Sequence, residues 1–595
     1  MPDRHSYRLL SRYFVMLLLC GILAGNAYAE PTDDSDATAD GAVQAVIRAR
    51  LTGENAVRGL DCQGEMICGI RLLPQAYAKN DFRPLWNADA QHHETADALI
   101  AVIANADTDG LDPADYHLSA IRAMMVATIE ASSIGLGPSA ERQADLDLML
   151  TDAFLLYGSH LAAGRVNPET LHADWIIRPG NVDLLAALER ATRQGEVAAA
   201  LAALRPPYPE YHALRQALTR LRAQAASGGW PVIPSGKTLR PGDRNPTVVL
   251  LRRRLIDGGD SDIPVPEADP LLFDDRLAAD VAQRQRRYGL TADGIVGRNT
   301  CRELNIPVEA RIRQVILNLE RCRWLPRDLG ERHLIVNTAD FRLKAVERGR
   351  TVLEMRVVVG RPARRSPVFS ARMRYLVLNP FWNVPTTIAV EDILPQLLKD
   401  DSYLARHGIH LFASWRDDAA EVDPASVDWR AYGTDRFPFR LRQDPGPANA
   451  LGRIKFMFPN PFAVYLHDTP NHANFSRTQR DLSSGCIRVE SPLDLARFAL
   501  ADEENDPARH LAEWLASGET RTVFIHRPLW VHLLYMTAFA DDDGRIQFRR
   551  DIYDRDRDLQ RAIDRRRAFP APAVAVNAVS PPASIEKGFV PINNQ

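Results

Sequence analysis

The sequence predicts a multidomain chain: an α-helical N-terminal part, a small helical module, and a mainly-β C-terminal domain with an inserted α/β subdomain. Three observations predict it. At 595 residues the chain is long enough for three or four domains. Apolar residues recur every three or four positions up to about residue 226, and from about 331 the period becomes two. Between these regimes lies a Gly/Pro-rich break, Ser227-Gly-Gly-Trp-Pro-Val-Ile-Pro-Ser-Gly236. The composition, 46% hydrophobic and 25% charged, is that of a globular protein. A formal charge of −3 excludes a basic nucleic-acid footprint, so nucleic acid is not an expected partner. Only six of the 73 basic residues are lysines (79, 237, 344, 399, 455 and 587).

The elements follow in order. Arg4, Arg8 and Arg12 precede an apolar run from Phe14 to Leu23 and the small-x-small site Ala27-Tyr28-Ala29, so residues 1–29 read as a secretory signal peptide. Left uncleaved, it would anchor the chain weakly to a membrane. Residues 30–42 are acidic and polar and read as a leader tail. The helical region spans 43–226, with Leu146, Met149, Ala153 and Leu156 on one face and Gly164 as a stop. A compact helical unit spans 237–306; its Asp293-Gly-Ile-Val-Gly-Arg-Asn-Thr300 turn has two glycines suited to positive φ.

Strand patterns follow at His333–Asn337, Thr351–Val359, Tyr375–Asn379, Phe462–His467 and Thr522–Ile525. The stretch 386–450 is too long for a plain loop, so it reads as a lid subdomain with Trp415, Trp429 and Phe439 as aromatic anchors. Residues 528–566 read as an ordered C-terminal extension and 567–595 as a disordered tail.

Export puts the cysteines in an oxidising setting. Cys62 and Cys68 are placed to pair, whereas Cys301 and Cys322 are open between a pair and two separate thiols. None has a partner at metal-ligand spacing, and neither a metal site nor a cofactor motif is expected. Cys486 is the odd thiol.

Two segments carry the chemistry: Tyr465-Leu-His467-Asp-Thr-Pro470 and Ser483-Ser-Gly-Cys486-Ile-Arg488. Strand alternation puts Tyr465 and His467 on one face, with the imidazole reaching solvent, and Phe462, Val464 and Leu466 on the core side. Cys486 and Arg488 share a face if their segment is extended. Ser491-Pro492 reads as a helix start whose dipole, with a neighbouring imidazole, favours thiolate. A thiol, a base and backbone donors suit nucleophilic acyl transfer, with oxyanion donors expected at the Cys486 N–H and at Gly485 or Ser484. Taken alone, a Cys and a His nineteen residues apart are weak evidence, since a buried structural cysteine is commoner than a catalytic one.

The pair resembles the signature of YkuD-type L,D-transpeptidases. Val359-Gly-Arg-Pro362, Asn379-Pro-Phe-Trp-Asn-Val-Pro385 and Gly446-Pro-Ala-Asn-Ala-Leu-Gly-Arg453 resemble the large periplasmic type. The 237–306 unit resembles a three-helix peptidoglycan-binding module. The resemblance implies a helical scaffold domain at 43–226 and a YkuD-type β-sandwich at 331–527 with its lid at 386–450. It also implies a periplasmic site in a Gram-negative envelope, and peptidoglycan stem peptides as donor and acceptor. Cys486 is then the nucleophile and His467 the base; Arg488 binds a stem carboxylate or forms an ion pair behind the site, and Tyr465 lines the pocket or packs. Many members have His where this chain has Ser484, so the base role rests on His467 and Ser484 is a supporting residue. The implied activity is 3→3 cross-linking through a cysteine thioester. An L,D-carboxypeptidase or wall-protein attachment enzyme would use the same acyl-enzyme, and a non-catalytic wall-binding scaffold is a third reading.

Overall fold

The computed structural model describes residues 34–568 except 53–60, 63–64, 67, 70, 87–89, 134–136, 178, 235, 260–268, 434–435 and 502–506. The expected signal peptide and nearly all of the expected tail lie outside the described residues. Part of the expected leader is helical instead: a helix runs Asp34–Leu51, and its Val43, Ile47 and Leu51 are buried in the N-terminal core. Polar composition obscured a helix held by a short apolar stripe at its far end.

The N-terminal core is organised around the helix Ala140–Ala163, which is buried along most of its length. The Ser139 hydroxyl caps its start and Gly164, at φ +80°, ends it. Its buried carboxylates are satisfied from outside the helix. Asp147 accepts from the Leu85 and Trp86 amides and the Tyr77 hydroxyl, and Asp152 from the Cys68 and Gly69 amides. The smaller unit has helices Thr247–Asp257, Asp275–Arg287 and Arg298–Leu304. Gln285 stitches its turn, donating to Asp293 Oδ1 at 2.8 Å and the Ile295 carbonyl at 2.9 Å while accepting from the Gly294 N–H. Gly294 takes φ +70°, but Gly297 is extended at φ −89°, so one glycine of the two needs positive φ.

The C-terminal domain is a sheet whose strands are β1 (Arg332–Asn337), β2 (Arg342–Glu347), β3 (Arg350–Gly360), β4 (Val368–Leu378), β5 (Ile454–Met457), β6 (Leu466–His467), β7 (Asp481–Ser483), β8 (Ile487–Val489) and β9 (Arg521–Leu534). The pairing order β5-β6-β8-β3-β2-β1-β9-β4 returns to β5, so the ladder closes on itself. Alternate residues such as Leu334, Val336, Met373, Leu376, Phe456, Leu466, Ile487 and Val489 fill its core. Beyond the expected strands, β9 continues to Leu534 and pairs in parallel with β1; its last residues, Val531–Leu534, are all buried, as in a strand covered on both faces. The expected Phe462–His467 strand shortens to two residues: Ala463 turns out of it at φ +52° and Asn460 holds the Val464 amide and carbonyl.

The lid is a small fold of its own. Trp382–Asn383 and Ile409–Phe412 flank Arg440–Gln443 in an antiparallel sheet over a core that includes Leu397, Leu404, Trp429 and Phe439. Trp429 and Phe439 meet edge to face at 5.9 Å, but Trp415 is exposed and anchors nothing.

No disulfide occurs among the described residues: the expected Cys62–Cys68 pair does not form, and of the two readings for Cys301 and Cys322 the separate thiols hold. Cys62 lies level with Glu65 in a short hairpin and its Sγ approaches Arg50, while Cys68 falls beyond the strand end with its Sγ toward the Met66 carbonyl. Cys301 turns to the Ile233 carbonyl, and Cys322 is buried in the helix Val308–Arg323.

That helix, between the expected units, joins them. It packs against Pro209–Ala226 and carries a fully buried pair, Glu320 and Arg323, at 3.0 Å. Glu320 also accepts from the Arg165 and Val166 amides, and Arg323 donates to the Tyr211 hydroxyl and the Asp109 carbonyl. The N-terminal part adds Trp175–Ile176 to the C-terminal sheet, parallel to β4. Truncating one member of such a pair leaves the other charge buried and uncompensated. Glu320→Ala is therefore expected to cost about 3–5 kcal/mol in chemical denaturation, against less than about 1 kcal/mol for Glu331→Ala in an exposed pair.

Candidate active site

β6 lies parallel to β8, with Leu466 opposite Ile487 and His467 opposite Arg488. On the other side β5 is antiparallel, with Lys455 opposite His467. One face therefore presents a row of three cations or potential cations, Lys455, His467 and Arg488. Tyr465 and Cys486 lie one step along the strands, and the Ile487 amide donates to the Tyr465 carbonyl at 3.1 Å. Cys486 is a diagonal neighbour of His467, within the range that long side chains span. The Tyr465 and His467 rings, 5.6 Å apart, confirm that these two share a face.

His467 does not reach solvent as expected; it is 5% exposed. Its Nδ1 donates to the Asp468 carbonyl at 2.5 Å, which sets the tautomer and leaves Nε2 as the basic nitrogen. The Asp468 carboxylate is itself fixed by the Arg453 amide at 2.8 Å and the Thr469 amide at 2.7 Å. Gly452, at φ +60°, makes room for it, since a Cβ there would collide with the carboxylate. Burial, then the charges of Arg488 and Lys455, push the imidazole down to about 3, so it is neutral and able to accept a proton.

The thiol is not activated in the expected manner. Burial raises Cys486 above its ordinary value, against the pull of the Tyr465 backbone and phenol, Lys455 and Arg488. The helix at Pro492–Leu500 starts beyond β8, and the Ser491 hydroxyl makes no cap bond. The resting pair is therefore a neutral thiol beside a neutral imidazole.

Gly485, at φ +116°, makes the turn into Cys486. Its amide donates to Ser483 Oγ at 3.1 Å, which in turn donates to the Cys486 carbonyl at 2.6 Å, so this N–H is spent within the turn. Among the described residues the Ser484 and Cys486 amides have no hydrogen-bond acceptor, which leaves them as the candidate oxyanion donors. Ser366 braces the turn from behind by donating to the Gly485 carbonyl at 2.7 Å, and Tyr553 from the C-terminal extension donates to Gly360. The Ser484 hydroxyl accepts from Arg364 at 2.9 Å. Arg364 also pairs with Glu391 and Asp392 of the inserted subdomain, so that subdomain is tied directly to the turn bearing Cys486. Arg488 forms no ion pair, and its Nε is buried with no partner among the described residues.

Sequence reasoning missed two residues here. Lys455 is 7% exposed, its Nζ lies 4.2 Å from the Tyr465 ring centroid, and burial lowers it to about 8. A lysine at a buried register position, in a chain that otherwise uses arginine, was the available signal. Arg364 had none, because its partners lie in the lid. No group of His, Cys, Asp and Glu among the described residues is placed to hold a metal ion.

Comparison with known proteins follows this geometry. Residues 331–525 match the family model "L,D-transpeptidase catalytic domain", 244–304 the model "Putative peptidoglycan binding domain", and 71–218 the model "Scaffold domain". The chain thus carries in succession segments similar to a scaffold domain, a peptidoglycan-binding domain and an L,D-transpeptidase catalytic domain, each over less than half of its length. A Haemophilus influenzae protein named "Putative L,D-transpeptidase" is 36% identical over 263 residues, 44% of this chain and 51% of that protein. The chain thus spans about half the length of this curated relative. A solved L,D-transpeptidase, residues 123–326 from Xylanimonas cellulosilytica, is 16% identical, covers 50% of this chain and 98% of its own, and superposes with a TM-score of only 0.15, too low to bear on the reading.

The electrostatics predict the pH behaviour of the thiol. With His467 neutral above about 4, no thiolate–imidazolium plateau is expected between pH 5 and 7. Alkylation of Cys486 should rise with pH toward the alkaline range. Lys455→Met removes a cation that lowers the thiol, so alkylation at pH 7 should slow. Iodoacetamide rates read by mass spectrometry check both.

Proposed function

We propose that this chain is a periplasmic L,D-transpeptidase that forms 3→3 cross-links between peptidoglycan stem peptides. The observation that carries the reading is the hydrogen bond from His467 Nδ1 to the Asp468 carbonyl. It aims a neutral base nitrogen along the face that also bears Cys486, one strand away.

The thiol proton passes to His467 Nε2 as Sγ attacks the carbonyl of the third stem residue, forming the C–S bond. The carbonyl oxygen becomes an oxyanion facing the Ser484 and Cys486 amides. The C–N bond to the fourth residue, D-Ala, breaks, and His467 returns the proton to the leaving amine. A side-chain amine from a second stem then attacks the thioester, giving its proton to His467, and the thiol is regenerated.

Lys455 and Arg488 suit two stages of this sequence. They favour the thiolate over the thiol, and they make the imidazolium a poor resting state, so the proton is passed on readily. Arg488, with a buried unpartnered nitrogen, suits a stem carboxylate. The lid is tied to the Cys486 turn through Asp392, Arg364 and Ser484, a placement that suits exclusion of water in favour of an amine acceptor.

Purified protein incubated with disaccharide-tetrapeptide should yield a 3→3 dimer, read by mass spectrometry. Cys486→Ala should abolish it, and His467→Ala should lower the rate about 10²–10⁴-fold. Tripeptide alone would replace cross-linking by carboxypeptidase activity. No product, with Cys486 inert to a thiol probe, would overturn the reading.

A further inference from the structure

A cleft of about 1220 Å³ lies away from Cys486, where three parts of the chain meet. Its walls are the peptidoglycan-binding unit, the sheet edge at 339–344 with the loop 476–482, and the hairpin Ala538–Ala540/Ile546–Phe548 with its flanks. The walls are bonded to one another. Thr291 meets Thr478 at 2.9 Å, Arg287 donates to the Ile546 carbonyl at 3.1 Å, and Arg549 donates to the Arg287 carbonyl at 2.8 Å. Gly289 is required at this seam, since a Cβ would strike the Arg549 side chain. The cleft is therefore built into the assembly of the domains.

Its charge is uneven once internal pairs are removed. Asp340 is paired with Arg549, Asp542 with Lys344 and Glu354 with Arg342. Asp293 and Asp541 accept from neighbouring amides and glutamines. Six exposed guanidinium groups remain with no hydrogen-bond or ion-pair partner among the described residues: Arg286, Arg298, Arg302, Arg477, Arg545 and Arg550. Asp293, Asp481, Asp541 and Asp543 are the acids left to oppose them. A guanidinium fork matches a carboxylate in a bidentate manner. The volume exceeds the roughly 300–1,000 Å³ of a small-molecule pocket, which suits a segment of polymer.

We propose that this cleft holds a peptidoglycan strand by the carboxylates of its stem peptides. The inference rests on the transpeptidase reading for its choice of ligand. The peptidoglycan-binding unit then does not bind by itself but shares its ligand with the catalytic domain. The loop that forms the shared wall runs on through Leu482 into Ser483 and Cys486, so the cleft is joined to the Cys486 turn through the chain.

The test is co-sedimentation of the full chain with insoluble sacculi stripped of attached polymers. The triple variant Arg298→Glu/Arg477→Glu/Arg545→Glu should bind at least about tenfold more weakly at physiological salt. An unchanged near-ultraviolet circular dichroism spectrum and melting temperature would show that the variant is folded. If it is not, wild-type protein offered sacculi with amidated carboxylates answers the same question, and binding should fall to a similar extent. Unaltered binding in either arm overturns the proposal, as does a loss seen only with sacculi that retain phosphate polymers. Turnover of soluble disaccharide-tetrapeptide by the wild type reports separately on the catalytic reading. If that fails while sacculus binding depends on the arginines and carboxylates, the enzyme assignment falls and the cleft stands.

Discussion

The site depends on one short pairing, the parallel alignment of Leu466–His467 with Ile487–Val489. Parallel neighbours need a crossover, and here it is the loop from Asp468 to Cys486 rather than a helix. The loop is held at intervals. Arg480 donates to the Val357 and Phe341 carbonyls, and β7 pairs in parallel with the end of β3. Asp468 anchors the start, while Ser366 and Tyr553 brace the end. A slip of one residue in this register would turn either His467 or Cys486 to the opposite face. The apolar partners Leu466, Ile487 and Val489, all wholly buried, are what forbid that slip.

The second constraint is electrostatic. Three basic side chains stand side by side on three adjacent strands with no acid among them: Lys455, His467 and Arg488. Such a row is costly to bury, and its effects appear in every member: the imidazole is held neutral, and the lysine and arginine are both lowered. On the proposed function, that cost is offset when negative charge arrives, as thiolate, oxyanion or stem carboxylate. This is preorganisation: the field is present before the charge that it stabilises.

Much of this was legible in the sequence. Val464 and Leu466 turn inward and His467 shares a face with Tyr465, as two-residue alternation predicts. The stop at Gly164 and the lid anchors Trp429 and Phe439 were equally visible. The unreadable parts depend on distant partners. Lys455 matters because β5 is antiparallel to β6, a pairing that no local pattern encodes. Arg364 matters through Asp392 and Ser484, 28 and 120 residues away. The exposed imidazole and activated thiol were misjudged because burial is a property of the finished fold. Gly485 was expected to offer its amide to an oxyanion, but the hydroxyl of Ser483, two residues before it, had already claimed that donor.

The contacts of the C-terminal extension have a consequence for how the site is supported. Tyr553 and Arg555 reach back to Gly360, Ser366 and Asp174, and Ser366 is the group that supports the nucleophile turn. The brace behind Cys486 is therefore layered: Ser366 holds the turn, and a segment beyond β9 holds the chain around Ser366. A substitution at Tyr553 or Arg555 acts on the turn only through that intermediate layer, so the extension belongs to the architecture of the site although it lies outside the sheet.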